Sequence, residues 1–258
     1  MRSGSPAMIE KHEKEFSVLT YNVHGCVGTD RKLDIDRVAT VIKATDADIV
    51  MLQELDVGRR RSGGADQAHE LAARLEMAYH FHAALHIESE QYGDAILTRH
   101  PLHLVRSGHL PSVGETRGAI WVEVTINDRK LNVINTHLGL RRSERLVQIR
   151  ELNGPDWLGS DRCRQKPTIF GGDLNAVPSS QAFRNVTLQT QMCSKSRWRR
   201  YSPTFPSRYP ILRLDHIFHS QDLEMTAISA IETANAKTAS DHLPLSARFR
   251  WRAKGDVH

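Results

Sequence analysis

Short apolar, β-rich runs that stop on polar, chemistry-bearing residues are the feature that most limits what this chain can become. Residues 16–21 lead into Asn22, residues 49–52 into Gln53-Glu54, and residues 130–136 into His137. Residues 168–170 lead into Gly171-Gly172-Asp173-Leu174-Asn175. Further runs lie at 95–98, 120–126, 212–219 and 245–251, with Asp215-His216 inside one and Asp241-His242 just before another. Asn127-Asp128 is a turn pair, so 120–126 and 130–136 are predicted to form a hairpin. Between the runs, Ile35, Val38, Ala39 and Ile42 keep helical spacing over 34–44, as do Ala68, Leu71, Ala72 and Leu75 over 67–77. Leu146, Ile149 and Leu152 do the same over 143–152, with Ser143 as the expected N-cap and Gly154-Pro155 as the stop. Mixed strands and helices without strict alternation argue against a plain Rossmann sheet or an (α/β) barrel. The expected class is α/β (α+β): two mostly antiparallel sheets face to face with helices outside.

Composition sets the remaining bounds. Hydrophobic residues make up 40% and charged residues 25% of 258, which suits a globular protein and excludes collagen-like or wholly disordered chains. One domain over residues 14–252 is the simplest division, with tails at 1–13 and 253–258. No apolar run approaches the ~20 residues of a membrane helix, and the polar start has no apolar signal core. Cys26, Cys163 and Cys193 are odd in number and widely spaced. With no disulfide framework, a reducing, cytoplasmic setting is expected. The net charge of +5 permits an acidic or phosphorylated partner without requiring one. No obligate protein partner is evident.

Each polar residue alone has a plain explanation as a turn, cap or surface group. Together they supply carboxylates, amides and imidazoles, the set that metal-assisted attack on phosphorus requires. Carboxylate and amide oxygens suit a hard ion such as Mg²⁺ or Mn²⁺. Imidazole and amide N–H groups suit a phosphoryl oxygen that gains charge, and a carboxylate can deprotonate water.

Seven segments, in order, resemble one superfamily: Thr20-Tyr21-Asn22-Val23-His24, Leu52-Gln53-Glu54, the stretch 92–99, Asn135-Thr136-His137-Leu138, Gly171-Gly172-Asp173-Leu174-Asn175, Leu214-Asp215-His216-Ile217-Phe218 and the stretch 240–245. They are similar to the motifs of the endonuclease/exonuclease/phosphatase superfamily of deoxyribonuclease-I-like and exonuclease-III-like hydrolases, in its compact bacterial branch. The resemblance implies a four-layer α/β/β/α sandwich and a divalent-metal-dependent phosphoesterase, foremost a phosphodiesterase or nuclease using direct water attack. A phosphatase or phosphodiesterase acting on a phospholipid, inositol phosphate or other small phosphoester is the alternative. By resemblance Glu54 binds Mg²⁺ or Mn²⁺, with Asn22 and Asp241 as further metal-site residues. Asp173 orients the water, Asn175 and His137 face the phosphate, and His242 with its partner Asp215 stabilises developing charge. Arg117, in a segment that often carries an arginine, is the expected substrate contact.

Some features depart from the pattern or stay open. His24 stands where some members carry a carboxylate, and is either a phosphate contact or a surface histidine. Asp94 replaces a frequent Asn, and either alters the metal site or caps a turn. Residues 196–213 interleave arginines with aromatics, and either clamp a DNA or RNA strand or pack over a sheet edge. His80, His82 and His86 lack the ligands to complete a zinc set. A phosphate-binding module without catalysis, and a nucleic-acid binder relying on 196–213 alone, are the readings outside enzymology.

Overall fold

The computed structural model describes residues 15–190, 192–194 and 202–252. The first half runs β1 (Glu15–Asn22), α1 (Ile35–Lys43), β2 (Ile49–Val57), α2 (Gln67–Leu75), β3 (Ala78–Ile87), β4 (Glu90–Thr98), β5 (Leu102–Leu110) and β6 (Arg117–Ile126). Then follow β7 (Arg129–His137), α3 (Arg142–Leu152), α4 (Asp161–Gln165), β8 (Thr168–Asp173), α5 (Gln181–Thr190), β9 (Asp215–His219), β10 (Leu223–Ala230), α6 (Ala234–Ala239) and β11 (Leu245–Trp251). One sheet has the order β10-β11-β1-β2-β4-β3, the other β5-β6-β7-β8-β9. Each contains one parallel pair, β1–β2 and β7–β8, among antiparallel neighbours.

Three apolar clusters lie between four layers. Met51, Ile96, Val122, Val133, Ile169 and Ile217 meet between the sheets. Leu19, Leu52 and Leu97 face the other way and pack against Val38 and Ile42 of α1, Leu71 of α2 and Ala236 of α6. Ile134, Phe170 and Phe218 pack against Ile149 of α3 and Val186 of α5. This is the α/β/β/α sandwich, and it follows from strands that are apolar on both faces. Such strands are stable only when covered on both sides.

The hairpin forms as expected. Asn127 and Asp128 both take positive φ, 48° and 62°, the geometry of a tight turn whose twist matches its strands. Ser143 does not cap α3. The helix starts at Arg142, its N-cap Arg141 makes no side-chain cap bond, and Ser143 lies within the first turn. The predicted strand at 212–219 begins only at Asp215, because Leu212 instead bridges Phe205. Strands β3, β5 and β10 lie outside the runs predicted above. All three are sheet edges, and each carries a bulge that shifts its apolar alternation partway along. The tails 1–13 and 253–258, and 196–201 of the Arg/aromatic segment, lie outside the described residues.

One polar clasp ties the sheets together. The β2–β4 ladder breaks between Leu52 and Leu55, inserting an extra residue. At this break Asn135, from the other sheet, donates Nδ2 to Leu52 O (2.8 Å) and Ala95 O (3.0 Å). Its Oδ1 accepts from Gln53 Nε2 at 2.7 Å. Both amides are fully buried. Asn135→Ala removes the side-chain donor from two carbonyls and the shortest of three acceptors from Gln53 Nε2, which keeps Thr20 Oγ1 and Met51 O. The variant is expected to lose about 3 kcal/mol of stability. Urea denaturation checks this, and an unchanged midpoint would contradict the clasp.

Candidate active site

Strand direction brings the polar residues to one edge. The parallel strands β1, β2, β7 and β8 run toward it, and Asn22, His137 and Asp173 are last residues of their strands. Their antiparallel neighbours start there, so Arg117 opens β6, Asp215 opens β9, and Asp241-His242 precede β11. His137 pairs in register with Asp173, and Asp173 with Asp215. Glu54 arrives by another route. It is the inserted bulge residue of β2, with φ 61°, and a bulge re-aims the side chain it carries. Asp94, opposite on β4, accepts a bond from the Glu54 backbone N–H. Burial pushes the Asp94 carboxyl up to about 8, so its visible work is to brace the bulge. The two glycines before Asp173 allow close packing. A Cβ on Gly172, at φ 131°, would meet Thr136 O at 1.9 Å, and one on Gly171 would meet His216 O at 2.5 Å.

Asp173 lies at the centre and is 1% exposed. Its Oδ2 accepts from Asn22 Nδ2 at 3.1 Å and lies 3.5 Å from His137 Nε2 and 3.6 Å from His242 Nε2. Its Oδ1 accepts from the Asn175 N–H at 2.8 Å. Asn22 Nδ2 also donates to Glu54 Oε1 at 2.8 Å, so one amide spans two carboxylates. His242 Nδ1 lies 2.9 Å from Asp215 Oδ2. Arg117 is buried, with Nη1 3.2 Å from Glu115 Oε1 and 3.0 Å from His137 Nδ1. Asn175 donates Nδ2 to Leu138 O at 2.9 Å while lying 3.1 Å from His137 Nε2. All nine expected site residues therefore converge.

The two central imidazoles differ in charge. Burial alone would lower His242, but the Asp215 and Asp173 carboxylates override it and hold the ring up to about 10. Burial and the Arg117 cation push His137 down to about 3, so it is neutral. Arg117 can only donate. His137 Nδ1 therefore accepts, and the ring proton sits on Nε2, facing Asp173 and Glu54. Burial pushes the Asp173 carboxyl up against the pull of His242. For Glu54, burial would raise the carboxyl, but contacts with His24 and Asn22 hold it well below the ordinary range.

His24 belongs to the site. Its Nδ1 lies 3.4 Å from Glu54 Oε2 and 3.7 Å from Asp241 Oδ1, and it raises its own proton affinity through Glu54. Two partly open carboxylates thus face one small region. Oxygen donors of net negative charge are what a hard divalent cation needs. Asp173, Asp215 and His242 form a tighter buried group, within 4.8 Å of one another. There the His242 cation already offsets part of the acids' charge and occupies their shared space, so the open Glu54–Asp241 side fits a metal better.

The cleft of about 500 Å³ is also lined by Arg59, Arg61, Tyr92, Leu140, Phe205 and Leu214. Sequence reasoning passed over Arg59 and Arg61, although three consecutive arginines directly after β2 were the available signal. Phe205 places part of the 196–213 segment on the cleft, with its ring 4.9 Å from His242, and Leu214 follows directly after the segment. His80, His82 and His86 gather no third metal ligand among the described residues.

A four-layer sandwich with carboxylates, amides and imidazoles gathered at one edge defines a class of hydrolase acting on phosphoester bonds. The model of the Endonuclease/Exonuclease/phosphatase family matches residues 19–242, and the chain belongs to that family. It is 27% identical over 257 residues to the uncharacterized protein YbhP of Escherichia coli strain K12, covering 91% of this chain and 96% of that one. It is 27% identical over 170 residues to a 5'-tyrosyl-DNA phosphodiesterase of Caenorhabditis briggsae, covering 62% of this chain and 44% of the other. Among solved structures, an endonuclease/exonuclease/phosphatase family protein from Bacteroides thetaiotaomicron superposes with a TM-score of 0.76 at 18% identity, covering 95% and 98% of the two chains. Among the described residues no helix is long and apolar enough to cross a membrane.

Proposed function

We propose that the protein is a Mg²⁺- or Mn²⁺-dependent phosphodiesterase or nuclease that cleaves a P–O bond by direct attack of water. The observation that carries this reading is the position of Asp173 Oδ2, within 3.6 Å of Asn22, His137 and His242 nitrogens. A carboxylate oxygen among three nitrogen donors can accept a proton from water, while the donors are at hand for a phosphoryl oxygen. Similarity to a tyrosyl-DNA phosphodiesterase favours a diester.

In this reading Glu54 and Asp241 hold the metal, and Asn22 keeps Glu54 and Asp173 in register. An ion held there would supply positive charge to offset the negative charge that builds during P–O cleavage. Asp173 orients the water and takes its proton, helped by a carboxyl whose proton affinity burial has raised. His137 offers Nε2–H to a phosphoryl oxygen, and Asn175 offers its amide. Arg117 fixes the His137 tautomer and adds charge behind it. The His242 imidazolium, oriented by Asp215, stabilises the charge that builds on the phosphorus oxygens. Water adds in line as the ester oxygen departs, leaving a phosphate monoester and an alcohol.

One panel tests this: plasmid DNA, abasic duplex, RNA, a chromogenic diester, a chromogenic monoester and phospholipid vesicles, each with Mg²⁺, Mn²⁺ or chelator. Metal-dependent cleavage of nucleic acid or of the chromogenic diester is expected. Cleavage confined to the monoester or to phospholipid would replace the nuclease assignment. Cleavage that persists in chelator would refute metal dependence.

A further inference from the structure

Beside Glu54 the wall of the cleft changes sign. Strand β2 ends at Val57, and the chain turns through Gly58 into Arg59, Arg60 and Arg61. Arg61 clasps Asp56 with both arms of its fork, Nε to Oδ2 at 2.8 Å and Nη2 to Oδ1 at 2.7 Å. Arg59 Nη1 lies 3.7 Å from the same Oδ1, and its Nε lies 3.6 Å from Glu90 Oε2. Arg60, 3.9 Å from Glu90 Oε1, points into solvent and does not line the cleft. The Tyr92 ring lies against both cleft arginines, with guanidinium carbons 5.8 Å (Arg59) and 5.5 Å (Arg61) from its centre.

Arg59 and Arg61 face the cleft, while the carboxylates that hold them stand outside its lining. Asp56 is 1% exposed and is already satisfied by the forked Arg61. Glu90 is likewise absent from the cleft lining, so Arg59 and Arg61 are the charged groups this segment presents to the cleft. Arg117 adds a further cation on the same cleft, against Glu115. The far side, by contrast, carries Glu54, Asp241 and Asp173. The cleft therefore has an acidic end suited to a cation and a basic end suited to an anion. The basic end is also pre-ordered, since Asp56 and Tyr92 hold the arginines before any ligand arrives. Half-exposed guanidinium groups in fixed positions match a phosphate in geometry as well as charge.

We propose that Arg59 and Arg61, braced by Asp56 and Tyr92, form a subsite for a second phosphate carried by the substrate next to the phosphate that is cut. The inference rests on the reading that this cleft cleaves phosphoesters. The second phosphate belongs either to the next nucleotide of an oligonucleotide or to a small bisphosphorylated molecule. Both present anionic phosphoryl oxygens to the arginines, with one negative charge on an internucleotide diester and up to two on a terminal or small-molecule monoester.

Calorimetric titration in excess Mg²⁺ tests the subsite with two ligand pairs, alongside turnover assays on the same ligands. Thymidine 3',5'-bisphosphate is compared with thymidine 5'-monophosphate, and 5'-phosphorylated dithymidylate with unphosphorylated dithymidylate. One charge-assisted contact is worth about 10- to 100-fold in affinity, so the wild type should prefer the extra phosphate by that factor in at least one pair. Arg59→Gln keeps the Arg61–Asp56 clasp, and with it the fold, yet should bring the ratio toward one. Arg61→Gln should do the same, and Arg61→Lys should restore part of the ratio. Preference in the bisphosphate pair alone assigns a small substrate, and preference in the dinucleotide pair assigns an oligonucleotide. A ratio near one in the wild type, a ratio unchanged by Arg59→Gln, or no binding of any of the four ligands overturns the subsite. Turnover with a ratio of one leaves phosphoester cleavage standing and removes the subsite. A preference without turnover under any metal does the reverse.

Discussion

Exchanging Glu54 for glutamine is expected to lower metal-supported turnover by about 10³-fold or more while the protein stays folded. The change removes one negative charge and one hard ligand atom and keeps the side chain's volume. Metal stabilisation of developing charge is worth several kcal/mol, and each 1.36 kcal/mol is tenfold in rate. Glu54 side-chain exposure is 21%, and it sits in a bulge held through its backbone by Asp94. Its carboxylate is thus not needed to close the core. Circular dichroism and the urea midpoint should change little. Raising the Mg²⁺ or Mn²⁺ concentration should recover part of the rate if weaker binding is the cause. Full activity in Glu54→Gln would remove this residue from the metal site and leave Asp241 unsupported.

Asp215→Asn should cut kcat/KM by roughly 10²–10⁴-fold and bring an alkaline limb into view. In the wild type the two neighbouring carboxylates hold His242 up to about 10, so its cation persists across the neutral range. An amide at 215 keeps the shape but removes the nearer charge, 2.9 Å away. The sign follows directly. His242 loses a partner that favours its protonated form, its proton affinity falls, and the cation is lost at a lower pH than before. Activity that requires the imidazolium therefore declines on the alkaline side earlier than in the wild type. A pH–rate profile in a single metal buffer series checks this. A profile of unchanged shape would mean that the His242 charge does not enter the rate-limiting step.

The difference between the two histidines shows where legibility ends. His137 and His242 stand in similar sequence settings, each beside a β run. One is neutral because it is buried and because Arg117, 20 residues earlier in the chain, sets a cation against its Nδ1. The other is cationic because Asp215, 27 residues earlier, faces its Nδ1. No local pattern carries that distinction. The same holds for Glu54. Its place after an apolar run is plain in the sequence, but its orientation depends on a bulge that appears only when β2 pairs with β4. Arg59 and Arg61 look like a solvated charge run until Tyr92, from a different strand, stacks against them.

What the linear chain determined by itself is the set of strand ends and the chemistry at them. Apolar β-rich runs must be buried, so the polar residues that close β1, β7 and β8 sit at a rim, and Asn22, His137 and Asp173 were legible from pattern. Glu54 inside β2, Asp215 at the start of β9 and His242 before β11 were legible by motif. The edge strands β3, β5 and β10 were not legible, because each carries a bulge that shifts its alternation partway along, and a bulge is fixed only by pairing with the neighbouring strand. Only the tertiary structure decided which rims coincide, which imidazole is charged, and which wall of the cleft is basic. Those properties come from distances between groups far apart in sequence, and electrostatic and hydrogen-bond energies act through distance in space.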